Sequence, residues 1–135
     1  MISAALQQIL DDFALLDGWE DRYGYLIDLA KAMPPVPDEL KVPSHIVKGC
    51  MSQVWLVPER LEDGKFRFRA DSDAILVRGL IAILYAAYNE ESAEDVSALD
   101  IEDVFRQLGL DQNLSPNRRN GFFALVGAIQ LLARG

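Results

Sequence analysis

The sequence is short of cysteine, histidine and positive charge, and each shortage excludes a class of protein. A single cysteine, Cys50, among 135 residues excludes an internal disulfide and any metal site built from several thiolates of one chain. Thirteen Lys and Arg against 21 Asp and Glu give a formal net charge of -8, and no stretch gathers enough basic residues to follow a phosphate backbone. Nucleic acid is therefore not an expected partner, and the same charge disfavours binding to an anionic membrane surface.

Long hydrophobic runs are also missing. The longest apolar stretch, 74–88, is interrupted by Arg78 and Gly79, and it is shorter than the roughly 20 residues that a membrane-spanning helix needs. The first residues lack the basic and apolar regions of a signal peptide. We therefore expect a cytoplasmic protein with no membrane segment. Its 135 residues, half of them hydrophobic, predict one folded domain over 1–135.

Hydrophobic periodicity predicts a mostly helical chain. Apolar residues recur at helical spacing over 2–16 and again over 19–30. The segment 34–37, with three prolines, should end the second helix, and extended loop should follow as far as Pro43. A third helix, apolar nearly all round and hence central, is expected to end at Tyr88, with N-cap candidates in 71–73.

The C-terminal third predicts shorter helices and one long one. Polar clusters at 92–95 and 100–103 are typical of helix starts. Ser115 followed by Pro116 predicts an N-cap with proline in the first helical position, opening a last helix that runs through Leu132.

Two alternating segments predict the only strands that the sequence indicates. Residues 52–57 alternate inward and outward positions, and 65–70 do so more cleanly, with Phe66, Phe68 and Ala70 on one face. The intervening 58–64 ends in Asp-Gly and suits a hairpin connection. Helices, hairpin and helices in that order predict an α+β fold in which several helices pack on one small antiparallel sheet.

The chemistry of the sequence centres on Cys50, which follows Gly49 where a loop meets the first strand. Glycine allows a sharp turn, and the neighbouring Lys48 favours the reactive thiolate. His45, the only histidine, lies five residues upstream and is a candidate proton shuttle. From these residues alone, burial as a packing residue is the more usual interpretation of a lone cysteine such as Cys50, and a solvated loop position without a role is the more usual one for His45. A Cys-His hydrolase would need spatial contact and an oxyanion site, neither of which the sequence shows.

Four separated blocks, in order along nearly the whole chain, resemble the SufE family of sulfur acceptors. They are W-E-D-R-Y at 19–23, V-K-G-C-M-S-Q-V-W at 47–55, A-D-S-D-A with V-R-G-L at 70–80, and L-G-L, L-S-P-N-R and N-G within 108–121. One block alone would be weak evidence, whereas four in register are specific.

The resemblance implies that Cys50 takes persulfide sulfur from a cysteine desulfurase and passes it to an iron–sulfur assembly scaffold. The protein would be a sulfurtransferase-like accessory rather than a stand-alone enzyme. It would carry no cofactor, because the pyridoxal phosphate belongs to the desulfurase. The family fold implies a cysteine at a loop tip, able to turn into an apolar cavity. The oligomer is expected to be a monomer or a homodimer.

Two further site residues, Asp73 and Arg118, match polar positions of the family near the cysteine. Asp71 or Asp73 could instead be only a helix N-cap, and Arg118 a solvated residue near a helix start. The chain departs from many members at His45, where asparagine is common, and at Met51, where glutamine is common.

Three rival functions stay open at this stage. An iron–sulfur scaffold of the U type shares the fold but needs more ligands than one Cys and one His. A regulator could activate a desulfurase without carrying sulfur. A thiol hydrolase is the third.

Overall fold

The computed structural model describes residues 3–47, 53–61, 63, 65–89 and 91–134. These residues form seven α-helices and one two-stranded antiparallel sheet, which confirms the predicted α+β class. The elements, in chain order, are α1 (Ala4–Ala14), α2 (Trp19–Ala32), β1 (Val54–Arg60), β2 (Phe66–Ser72), α3 (Ile75–Tyr88), α4 (Ala93–Ala98), α5 (Ile101–Gln107), α6 (Leu110–Asn113) and α7 (Pro116–Arg134). Short 3₁₀ turns at Asp38–Leu40 and Pro43–His45 interrupt the proline-rich segment after α2.

The hairpin is longer than the sequence predicted. β1 pairs with β2 in a register that runs from Val54 opposite Ser72 to Arg60 opposite Phe66. The predicted inward face of β2 is confirmed, because Phe66, Phe68 and Ala70 are all buried. The expectation that Pro58 begins the connection was wrong. Proline lacks one backbone donor, and a strand at the edge of a sheet tolerates that loss.

Helix α3 is central, as its apolar surface predicted. It packs against α1, α2, α7 and β2, and seven of its 14 residues are buried. None of the helices formed by the described residues combines the length and the hydropathy needed to cross a bilayer.

The C-terminal helices begin where the sequence placed their caps. The Ser92 and Asp100 side chains accept hydrogen bonds from the backbone N–H groups of Asp95 and Asp103. Helix α7 has Pro116 in its first position after Ser115, as predicted. Helix α6, of four residues, was not predicted, because one turn is too short to show a hydrophobic period.

The W-E-D-R-Y block forms the corner between α1 and α2. Arg22 Nη2 lies 3.2 Å from the Phe13 carbonyl oxygen and 3.4 Å from that of Leu16, so the guanidinium donates to the C-terminal end of α1. Its Cζ also lies 5.7 Å from the Phe13 ring centroid and 5.5 Å from that of Trp19. These contacts give the block a structural role, in capping one helix with a side chain from the next.

Replacing Arg22 by Met should therefore destabilise the fold while keeping most of the apolar stem. We expect the free energy of unfolding to fall by about 2–3 kcal/mol, because charged hydrogen bonds to two carbonyls and two cation–π contacts are lost. Urea unfolding at neutral pH measures this loss. Lys31→Met, on the exposed side of the same helix, is the control and should change stability by no more than about 0.5 kcal/mol. Equal effects of the two substitutions would contradict the capping role.

Candidate functional site

The candidate cysteine lies in a segment, 48–52, that is outside the described residues, as are Gly49 and Lys48. On its N-terminal side, the described residues are bonded to β1. The Val47 N–H donates to the Val54 carbonyl at 2.9 Å, and Ile46 forms an antiparallel bridge with Trp55. The chain therefore enters and leaves the Cys50 segment at two backbone positions that are hydrogen-bonded to each other.

Asp73 fixes the residue on the C-terminal side of the same segment. Its Oδ1 accepts from the Gln53 N–H at 3.1 Å, and its own N–H donates to the Gln53 carbonyl at 3.3 Å. Asp73 is thus bonded to the first described residue after Cys50. The expectation of an N-cap at Asp71 or Asp73 was wrong: α3 is preceded by Ala74 with no side-chain cap, because both carboxylates are bonded elsewhere.

The buried carboxylate of Asp71 is a further feature of this region, and sequence analysis did not predict it as part of the site. The residue is 3% exposed. Its Oδ1 accepts from the Ser72 N–H at 2.8 Å, and its Oδ2 from the Val36 N–H at 3.2 Å. Lys41 Nζ lies 3.5 Å from Oδ2. Arg78 Nε lies 3.0 Å from Oδ1, in an ion pair whose angle falls short of a hydrogen bond.

A buried carboxylate so placed is hard to predict from sequence. Asp71 directly continues the alternation of β2, and the partners Val36 and Lys41 are 30 or more positions away in the chain. Asp71 falls at an outward position of that alternation, with Arg67 and Arg69, so the pattern predicted a solvated side chain and gave no signal that the carboxylate is buried.

His45 is half-buried in the second 3₁₀ turn, two residues before Val47. Its Nδ1 lies 2.7 Å from the Leu40 carbonyl oxygen. Because a carbonyl only accepts, Nδ1 must carry the proton, and Nε2 is then the acceptor atom of the neutral ring. The ring is thus held in the tautomer that a base at Nε2 would need, and its relation to Cys50 stays a prediction.

Arg118 lies in the first turn of α7, and its side chain is exposed. Its backbone N–H donates to the Ser115 Oγ at 3.3 Å, which belongs to the helix start. Among the described residues, the hydrogen bonds and ion pairs that surround Val47, Gln53 and Asp71 do not include Arg118. The structure therefore brings Asp73 to the ends of the Cys50 segment and leaves the predicted support by Arg118 a prediction.

Two cavities are lined by described residues other than Val47, Gln53, Asp71, Asp73 and Arg118. One of about 570 Å³ is lined by residues of α5, α6 and α7, and one of about 360 Å³ lies between 33–35 and the sheet. The apolar cavity that the resemblance implies beside Cys50 stays a prediction. Within the described part of the chain, no group of three or more His, Cys, Asp or Glu residues is arranged to hold a metal ion.

Comparison with known proteins gives consistent matches over nearly the whole chain. The SufE family model, described as an Fe-S metabolism associated domain, matches residues 7–133. An uncharacterized SufE-like protein of Rhizobium etli is 45% identical over 133 residues, which are 96% of this chain and 90% of that protein. One of Rhizobium meliloti is 42% identical over 134 residues, 97% of this chain and 96% of its own.

A solved structure shares the fold. The solution structure of a hypothetical protein from Thermus thermophilus has a TM-score of 0.79 and 26% sequence identity. The match covers 99% of this chain and 96% of that one. The two kinds of comparison agree with the resemblance that the four sequence blocks indicated.

Proposed function

This chain belongs to the SufE family, which is associated with Fe-S metabolism, and from that premise we propose that it accepts sulfur from a cysteine desulfurase on Cys50. In the proposed reaction, the Cys50 thiolate attacks the outer sulfur of a persulfide on the desulfurase. An S–S bond forms at Cys50, the S–S bond of the donor breaks, and the donor cysteine leaves as a thiolate. The exchange needs no added oxidant or reductant. The sulfur then passes to an iron–sulfur scaffold.

The observation that carries the proposal is the way in which the ends of the Cys50 segment are held. The only cysteine of the chain falls in the G-C-M-S motif, between Val47, bonded to β1, and Gln53, bonded to Asp73. Persulfide exchange depends on the access of one thiolate to another sulfur. Val47 and Gln53, both fixed, give a partner that docks beside them a defined frame for exchange with the one thiol of the chain.

Exposed apolar side chains beside this segment support docking of a partner there. Ile46 is 40% exposed and directly precedes Val47, and Ile75 is 45% exposed and follows Asp73 by two residues. Both are large hydrophobic residues of the kind that protein interfaces cover. The desulfurase is the proposed partner on this face, and it brings the pyridoxal phosphate.

The proposed place of action is the cytoplasm, because a lone thiol that cycles between thiolate and persulfide needs a reducing compartment. In this role the protein is an accessory of the desulfurase, which it stimulates by removing sulfur from the donor cysteine.

Intact mass spectrometry tests the proposal directly. The protein is mixed with a desulfurase, pyridoxal phosphate and cysteine, without reductant. We expect a gain of about one sulfur atom, located on Cys50 by peptide mapping and reversed by a thiol reductant. A reaction without free cysteine is the control and should leave the mass unchanged. Absence of added sulfur with each of several different cysteine desulfurases would reject the carrier function.

A further inference from the structure

The buried carboxylate of Asp71 connects the segment that leads into Cys50 with the sheet and with α3. Asp71 and Ser72 are the buried polar residues among those the structure describes. Burial of a carboxylate costs several kcal/mol unless cations and hydrogen-bond donors compensate it. Here two backbone N–H groups and two cations do so, and two of these four partners, Val36 and Lys41, come from the proline-rich segment.

Lys41 extends this connection to the strand that follows the cysteine. Its Nζ lies 3.5 Å from Asp71 Oδ2 and 5.1 Å from the centroid of the Trp55 ring. Trp55 in turn forms the antiparallel bridge with Ile46, next to Val47. The segment 36–47 is therefore bonded to Asp71 near its start and its middle, and to β1 at its end.

The two acidic residues of the D-S-D sequence thus act on opposite sides of the Cys50 segment. Asp73 holds Gln53, where the chain leaves it. Asp71 holds Val36 and Lys41, in the segment through which the chain enters it. The proline-rich segment is otherwise poor in regular structure, with two 3₁₀ turns of three residues each. The segment therefore has few backbone hydrogen bonds of its own, and its position on the sheet depends more on side-chain bonds than the position of a helix or a strand does.

We propose that Asp71 is a positioning residue for sulfur transfer, which fixes the approach of the chain to Cys50 through Val36 and Lys41. This inference rests on the proposed function, since it assigns a role in the reaction of Cys50. Asp71 is not proposed to touch the sulfur.

Asp71→Asn tests the role, because the amide has nearly the same shape as the carboxylate. Its one oxygen can still accept from the Val36 N–H, whereas its NH2 group then faces the Ser72 N–H, so the amide keeps one of the two hydrogen bonds. It no longer carries the charge that pairs with Lys41 and Arg78. Both cations are about a quarter exposed, so each can turn to water. We expect the rate of sulfur uptake at saturating desulfurase to fall about tenfold, because this rate depends on how the thiol is positioned in the complex. The half-saturating desulfurase concentration should change less than about twofold, because it reports docking of the partner, which Asp71 does not contact.

A second readout follows the segment itself. We expect hydrogen exchange of the Val47 amide, measured by NMR, to become about tenfold faster in Asp71→Asn, because local opening of the segment becomes easier. Amides in the middle of α3, such as Ile83 and Leu84, exchange through global unfolding. Their exchange should therefore become faster only by the factor that the measured loss of unfolding free energy accounts for. This readout needs no sulfur, so it tests the positioning of the segment even if the carrier function fails.

Two controls separate positioning from a general loss of stability. Val126→Ala removes buried volume from α7, far along the chain from the proline-rich segment, and should lower stability without slowing sulfur uptake. Lys41→Met and Lys41→Arg form a matched pair at a partly exposed position: the first should reproduce the effect of Asp71→Asn, and the second should retain uptake within about threefold, because arginine keeps the ion pair.

The proposal is overturned if Asp71→Asn takes up sulfur at the wild-type rate, or only as slowly as Val126→Ala at equal loss of stability. It is also overturned if Val47 exchange is unchanged. If Asp71→Asn does not fold, the Lys41 pair decides: equal uptake by Lys41→Met and Lys41→Arg rejects positioning through Lys41.

Discussion

Cys50→Ser is expected to abolish sulfur uptake and to leave the fold intact. Serine replaces the thiol by a hydroxyl of similar size, so packing changes little wherever the side chain lies. The hydroxyl is a poor nucleophile without an activating base, and an oxygen atom cannot form the S–S bond that a persulfide carrier requires. Intact mass after reaction with desulfurase and cysteine should therefore show no added sulfur, while the unfolding transition stays within about 0.5–1 kcal/mol of the wild type.

The same variant separates a carrier from a regulator that never holds sulfur. A carrier stimulates the desulfurase by removing sulfur from its cysteine, so Cys50→Ser should reduce turnover to the rate of the desulfurase alone. A regulator that acts by binding would keep most of the stimulation, because the docking face is unchanged. A folded Cys50→Ser protein that still gained sulfur would refute Cys50 as the acceptor. Wild-type protein alkylated at Cys50 is the matched control, and it should lose sulfur uptake in the same way.

The parts of the fold that the sequence predicted are those determined by local patterns. Helical periodicity located the long helices, and the side-chain caps at Ser92 and Asp100 located two short ones. The strand β2 was found because its buried face alternates strictly. Each of these signals involves residues within a few positions of one another, so an isolated sequence contains them.

The parts that the sequence did not predict depend on contacts between distant segments. β1 continues through Pro58 because of its place at the edge of a sheet, and the preceding residues do not determine that place. Asp71 looks like a helix cap until Val36, Lys41 and Arg78 are brought to it by the fold. At the candidate site, the motif predicted the reactive residue, whereas the groups that hold its flanking residues became visible only in three dimensions.

Gly79 shows the same dependence on a distant contact, and the second large effect is predicted there. A Cβ built at Gly79 would lie 2.5 Å from the Leu26 carbonyl oxygen and 3.0 Å from both Leu26 C and Leu26 Cβ. These are mainly backbone atoms of α2, and Leu26 is fully buried, so the contact cannot be relieved by turning a flexible side chain. Helices α2 and α3 approach each other closely at this point, and only glycine fits between them.

Gly79→Ala should therefore lower the free energy of unfolding by about 2 kcal/mol, since an overpacking cost of about 3 kcal/mol exceeds the gain of about 1 kcal/mol in helix propensity. Gly79→Val adds two more carbon atoms and should leave no cooperative unfolding transition, because a domain of this size has only about 5–15 kcal/mol to lose and the two helices would have to separate.

Gly24→Ala, in α2, is the matched control: nothing lies within 4 Å of its Cβ, so only the propensity term acts, and stability should rise by about 0.5–1 kcal/mol. Urea unfolding followed by circular dichroism measures all three variants. The two alanine substitutions should change stability in opposite directions, because both gain the same helix propensity and only the space around the Cβ differs. A Gly79→Ala protein as stable as Gly24→Ala would show instead that α2 and α3 can move apart at little cost.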